Sequence, residues 1–191
     1  MKKLLLASVF ALGLGVSAAQ AEPMEYAFDT NHTSIEFYVN HMGFSNFQGE
    51  FQTFDGTLVF DEAKPQDSRV EVVIDANSID TDVAALDKHL KSADFFDVAK
   101  FPNLTFKSKS IEITGEKTGI ITGDLTMHGV TKEVALKVTL NKAAPNPMTK
   151  KAAVGFSATA TLQRSDFGIS TYVPAVGDEV TIRIETEAQA K

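Results

Sequence analysis

The chain has 191 residues, 18 basic against 25 acidic side chains for a formal net charge of −7, and no cysteine. The missing thiols exclude disulfides, cysteine nucleophiles, CxxC redox chemistry, thiolate zinc sites and a cysteine-anchored lipoprotein. The acidic balance argues against nucleic acid and anionic membrane surfaces as partners.

Lys2 and Lys3, an apolar run over residues 4–16 and the small-residue pattern Ala19-Gln20-Ala21 have the layout of a secretory signal, with cleavage expected before Glu22. The run is short for a span of about 20 residues, and no stop-transfer pattern follows. One domain, 22–191, is therefore expected in the periplasm, with 16 basic and 25 acidic residues and a net charge of −9. No later apolar run is long enough to cross a bilayer, so no stable membrane insertion is expected.

The rest of the chain is dominated by period-2 alternation, the pattern of strands with one buried and one wet face. After a first candidate at 26–29, Ile35, Phe37 and Val39 alternate with Ser34, Glu36, Tyr38 and Asn40. Strand character returns at 51–60, with a turn signal at Asp55-Gly56, and at 70–75. Segment 82–90 departs from it: Val83, Leu86 and Leu90 are spaced for a short helix that Asp80 or Thr81 would cap. An irregular stretch follows over 92–102. In 104–113 the apolar parity switches from Leu104 and Phe106 to Ile111 and Ile113, which predicts a β-bulge. Turns at 114–117 and His128-Gly129 bracket a strand at 120–127. Val134, Leu136, Val138 and Leu140 share one parity, and residues 141–151, with Pro145 and Pro147, read as an exposed loop. Val154, Phe156, Ala158, Ala160 and Leu162 share one parity, and so do Val180, Ile182 and Ile184.

Eight or nine strands with mostly short connections predict an all-β antiparallel meander, closed as a barrel or split as a sandwich. Ten of the 13 Phe residues after the signal lie between Phe37 and Phe106, while the later strands use smaller Val, Ile and Ala. Rings on one side and small side chains on the other leave an elongated apolar cavity or pack as an ordinary core; eight-stranded barrels do both.

Catalytic signatures are missing. His32, His41, His89 and His128 lack metal-ligand spacing, so no metal is assigned. Ser165 lacks the GxSxG elbow. Asp80/Asp82 and Asp178/Glu179 fall in turns where solvation is the default. Arg164 and Asp166 are expected to pair at the barrel mouth, fixing the turn or presenting Arg164 to an anionic head group.

An ordered set of motifs carries a family resemblance. Residues 87–97 read Asp-Lys-His-Leu-Lys-Ser-Ala-Asp-Phe-Phe-Asp and are followed by Lys100-Phe101-Pro102. Asp29-x-x-His32-x-x-Ile35-x-Phe37, His41-Met42-Gly43-Phe44 and Phe54-Asp55-Gly56 precede that stretch. Gly123-Asp124-Leu125-Thr126, His128-Gly129-Val130-Thr131-Lys132 and Asp166-Phe167-Gly168 follow it. The chain closely resembles the YceI-like periplasmic proteins across almost all of 22–191. The resemblance implies an eight-stranded antiparallel, extended lipocalin-like barrel with one short helix near an end. It also implies a pore that takes up isoprenoid or similar long amphiphiles, and no established enzymatic activity; no enzyme and no cofactor are expected. It supplies no catalytic motif, so the expected lining comes from strand parity: Ile35, Phe37, Val39, Phe51, Phe106, Val138, Phe156, Leu162 and Ile182. His32, His41 and Arg164 are expected at a polar mouth, with helix 82–90 and the Phe95-Phe96 corner gating one end. The expected role is a carrier or stress-related buffer. The alternatives are a non-enzymatic stress-response interaction protein with a filled barrel and, ranked lowest, an enzyme acting on a quinone or prenyl precursor. The oligomeric state stays open, a dimer included.

Overall fold

The computed structural model describes residues 22–191; the expected export signal over 1–21 lies outside them. The described residues form one antiparallel sheet. Its strands are β1 (Met24–Phe28), β2 (Ser34–His41), β3 (Ser45–Phe51), β4 (Phe54–Phe60), β5 (Arg69–Asp75), β6 (Ile79–Asp80), β7 (Asn103–Ile113), β8 (Thr118–Met127), β9 (Val130–Pro145), β10 (Ala152–Gln163) and β11 (Val176–Ala190). The helix is α1 (Ala84–Leu90).

These strands make eight staves. β1 and β2 both run antiparallel to β11, with Phe28 opposite Ala188 and Ser34 opposite Glu185, so they are one stave interrupted at 29–33. β3 and β4 are likewise one stave, pairing with β2 and β1 in turn, and β5 and β6 are a third. The β1–β11 pairing closes the ring. Closure gives the staves ladder partners on both sides and leaves little free edge. One gap remains, because β6 pairs with β3 while β7 starts opposite Asp75 of β5. α1 and the turns over 92–102 stand at this end of the barrel.

The expected bulge in β7 lies between Ser108 and Ser110, and the His128-Gly129 hairpin turn has positive φ at both residues (52° and 75°). Three local expectations are corrected. Asp55-Gly56 is not a turn but the start of β4, paired with Val73 and Val72. Glycine is needed there for close approach, since a Cβ at Gly56 would stand 2.3 Å from the Glu71 carbonyl oxygen. The helix starts at Ala84 with Val83 as N-cap and no capping side chain. Thr81 instead donates its N–H and Oγ1–H to Asp87 Oδ1 at 2.9 and 2.6 Å, anchoring the helix from outside. Strand pairing also runs into the first part of the expected loop: Ala143 and Ala144 of β9 pair with Val154 and Ala153 of β10, which leaves a turn over 146–151.

Two buried clusters hold the barrel. One gathers Ile35, Phe51, Ile74, Ile79, Phe95, Leu104, Met127, Phe167 and Ile169 toward the α1 end. The other gathers Tyr26, Leu58, Phe60, Val154 and Ala188 where β1, β4, β10 and β11 meet. Each fully buried large side chain contributes roughly 1.5–3 kcal/mol.

Candidate functional site

The barrel interior is not filled. A cavity of about 760 Å³ runs through it, within the ~300–1,000 Å³ usual for small-molecule sites. Its wall is the inward parity of the strands. Ile35, Phe37 and Val39 of β2 stand opposite Ile184, Ile182 and Val180 of β11, and all six border the cavity. Phe51, Phe106, Val138, Phe156 and Leu162 border it too. Ala158 and Ala160 of β10 add small side chains to the same wall and help leave the space open. Val70, Val72 and Ile74 of β5, with Ile121 and Leu125 of β8, also border it. The same alternation marks these residues, but a single strand does not reveal which of its faces the ring encloses.

Polar groups gather at the two ends. Under α1 and the β2–β3 hairpin the wall includes His41, Met42, His89 and Tyr172. His89, Phe95 and Tyr172 form an aromatic cluster there, with centroids 5.0, 6.0 and 6.3 Å apart. Thr171 ties it down by donating to the Asp94 carbonyl at 2.8 Å. Leu86 and Leu90 of α1 and the Phe95-Phe96 corner face the cavity at this end. At the other end the β7–β8 turn brings Glu116 and Lys117 to the rim, next to Thr118 at the start of β8, with Ser68 and Arg69 at the start of β5. Sequence reasoning missed this second charged mouth, because turn charges look like ordinary solvated groups until the barrel places them around an opening.

Two of the expected mouth residues do something else. Arg164 borders the cavity but is buried, and four of its N–H groups are spent on backbone carbonyls. Nε donates to Gly177 at 2.8 Å, Nη1 to Ile169 and Thr171 at 3.0 and 2.9 Å, and Nη2 to Val176 at 3.0 Å. The expected partner Asp166 makes no ion pair with it among the described residues. Asp178 takes the turn-fixing role, accepting Ser165 N–H at 2.8 Å and Oγ–H at 2.6 Å. Those hydrogen bonds, then the nearby Arg164 charge, hold its carboxyl below the usual range, while burial pulls Arg164 below its own.

His32 does not border the cavity. It is exposed at the break between β1 and β2, where Nδ1 bonds Asp29 Oδ2 at 2.9 Å. Asp29, His32 and Glu187 have ligand atoms within 4.8 Å of one another, the one group of three so spaced among the described residues, and two of the three are exposed. The Asp29 bond raises the His32 pKa above 6.5, and the same bond lowers Asp29 below 3.8. The His32 contribution to stability is therefore complete below 6.5 and fades as pH rises through the raised value. The Asp29 contribution is complete above 3.8 and is lost as pH falls through the lowered value. An NMR titration should give His32 a midpoint above the ordinary imidazole value, and Asp29→Asn should bring it down. An unchanged midpoint in Asp29→Asn would refute the pairing.

A closed antiparallel barrel of eight staves around an apolar cavity, with a helix at one end, defines a lipocalin-like barrel. Residues 26–188 match the YceI-like domain model, and the chain belongs to that family. It is 41% identical over 189 residues to Protein YceI of Salmonella agona, covering 98% of this chain and 97% of that one. It is 44% identical over 167 residues to a UPF0312 protein of Pseudomonas syringae pv. tomato, covering 85% and 86%. Among solved structures, the YCEI protein of Campylobacter jejuni superposes with a TM-score of 0.73 at 27% identity, covering 97% of this chain and 99% of that one. A polyisoprenoid binding domain from Saccharophagus degradans shares the fold, with a TM-score of 0.67 at 12% identity, covering 88% and 99%.

Proposed function

We propose that the protein holds an isoprenoid or other long-chain amphiphile inside the barrel, as a periplasmic carrier or buffer. The observation that carries this reading is the cavity of about 760 Å³, apolar along its length and polar at its ends. A wall of this kind suits a long tail and leaves a head group at a mouth. Burial is worth roughly 0.8 kcal/mol per CH₂, less the cost of ordering the chain, so a long tail binds without a dedicated polar contact. The description of the Saccharophagus degradans neighbour as polyisoprenoid-binding agrees with this ligand class.

His41, His89 and Tyr172 at one mouth and Arg69 and Lys117 at the other are the side chains placed to meet a head group. An enzyme would need ionisable groups converging on one point inside the cavity; the wall between the rims is mainly apolar strand residues, so the binding reading is preferred. The test is mass spectrometry of an organic extract from protein exported into a periplasm and purified without detergent. A stoichiometric isoprenoid or long-chain lipid is the expected result. An empty extract, with no uptake of added isoprenoid quinone or prenyl phosphate, overturns it.

A further inference from the structure

One cross-strand pair at the cavity wall is close. Phe37 of β2 stands opposite Gly49 of β3, and paired residues of neighbouring strands share a face. A Cβ at position 49 would stand 2.3 Å from Phe37 Cζ, 2.8 Å from Cε1 and 2.9 Å from Cε2. Carbon atoms in contact keep about 3.5–4.0 Å apart, so the far edge of the ring occupies the place a side chain would take. Glycine inside a strand weakens it and marks a close approach, and an aromatic ring laid across the bare backbone compensates.

The neighbours decide where that ring would otherwise go. Phe51 stands beside it along β3, with ring centroids 5.9 Å apart. On its other flank Phe37 faces Ile182 of β11, and Ile182 faces Ala160 of β10. Gly49 and Ala160 thus flank the two large side chains of this level. A ring lifted off Gly49 finds the wall occupied and moves toward the lumen.

We propose that Gly49 sets the bore of the cavity. By seating Phe37 against the wall it leaves the width that a methyl-branched isoprenoid chain needs, beyond that of an unbranched acyl chain. This rests on the reading of the cavity as the seat of a long apolar chain. A side chain at position 49 turns Phe37 inward and narrows the passage, so branched chains are excluded first. Phe37→Trp, with Gly49 intact, narrows the same level from the other partner.

The probes are geranylgeraniol and hexadecanol, an unbranched alcohol of the same backbone length, with binding read by native mass spectrometry and by competition. Wild type is expected to take both. Gly49→Ala and Phe37→Trp should weaken geranylgeraniol about 10-fold or more, the scale on which an apolar pocket rejects a surplus methyl. Both should hold hexadecanol within about threefold, less than the tenfold step of one such rejection. The double variant Phe37→Leu/Gly49→Ala should regain geranylgeraniol. Wild-type affinity for both alcohols in folded Gly49→Ala, or no recovery in the double variant, overturns the bore assignment while leaving the cavity as a ligand site. Should Gly49→Ala not fold, unaltered geranylgeraniol binding by Phe37→Trp overturns it. Failure of wild type to take either alcohol overturns both readings.

Discussion

Phe37→Arg should fold and lose ligand uptake by about 100-fold or more, which corresponds to roughly 2.7 kcal/mol. Phe37 borders the cavity, between Gly49 on one neighbouring strand and Ile182 on the other. A guanidinium there keeps its own water and must be desolvated before an apolar tail can pass, and unpaired charge resists that strongly. It also loses the ring contact with Phe51. The cavity reaches polar rims at both ends, so the arginine can stay hydrated in the empty barrel and the fold survives. Phe37→Leu is the control and should retain uptake. Uptake at the wild-type level by folded Phe37→Arg would mean that the chain lies elsewhere.

Arg164→Ala should destabilise the fold by about 3–5 kcal/mol, because it removes several charge-assisted hydrogen bonds at once and strands their acceptors. The carbonyls of Ile169, Thr171, Val176 and Gly177 all turn toward this one guanidinium. They belong to the segment that carries Tyr172 to the α1 mouth. Arg164→Lys should recover only part of the loss, since an ammonium is a point donor and the guanidinium is a planar fork. Urea denaturation measures the stability, and hydrogen exchange over residues 168–176 should show the opening localised there. A loss under about 1 kcal/mol in Arg164→Ala would show that the carbonyls are satisfied without it. If Arg164 instead gripped a head group, Arg164→Lys would keep stability and change ligand preference.

The strand-rich class, the β7 bulge and the short helix were legible because each is a local pattern. Which residues share a strand face was legible for the same reason. Ile35, Phe37 and Val39 sit on one face of β2 whatever surrounds them, and that face proved to be the cavity wall. Local patterns misled where two roles share one signature. Asp55-Gly56 has the composition of a turn, yet the glycine serves a close crossing to Glu71 within β4. Arg164 and Asp166, two residues apart, suggested each other as partners, whereas the arginine's partners lie 5 to 13 residues further on, across a folded loop.

By itself the sequence determined the exclusion of thiol chemistry, the alternation along each strand and the order of an up-and-down meander, since these depend on residue type and near neighbours. Only the tertiary structure decided that β1 with β2, β3 with β4 and β5 with β6 act as single staves closing on β11. It also decided that the rings leave a cavity, that His32 stays outside it, and that Glu116, Lys117 and Arg69 rim a second mouth. The physical reason is that parity belongs to one strand at a time. Volume, closure and the meeting of distant charges are sums over all the staves, fixed only when their registers are set together.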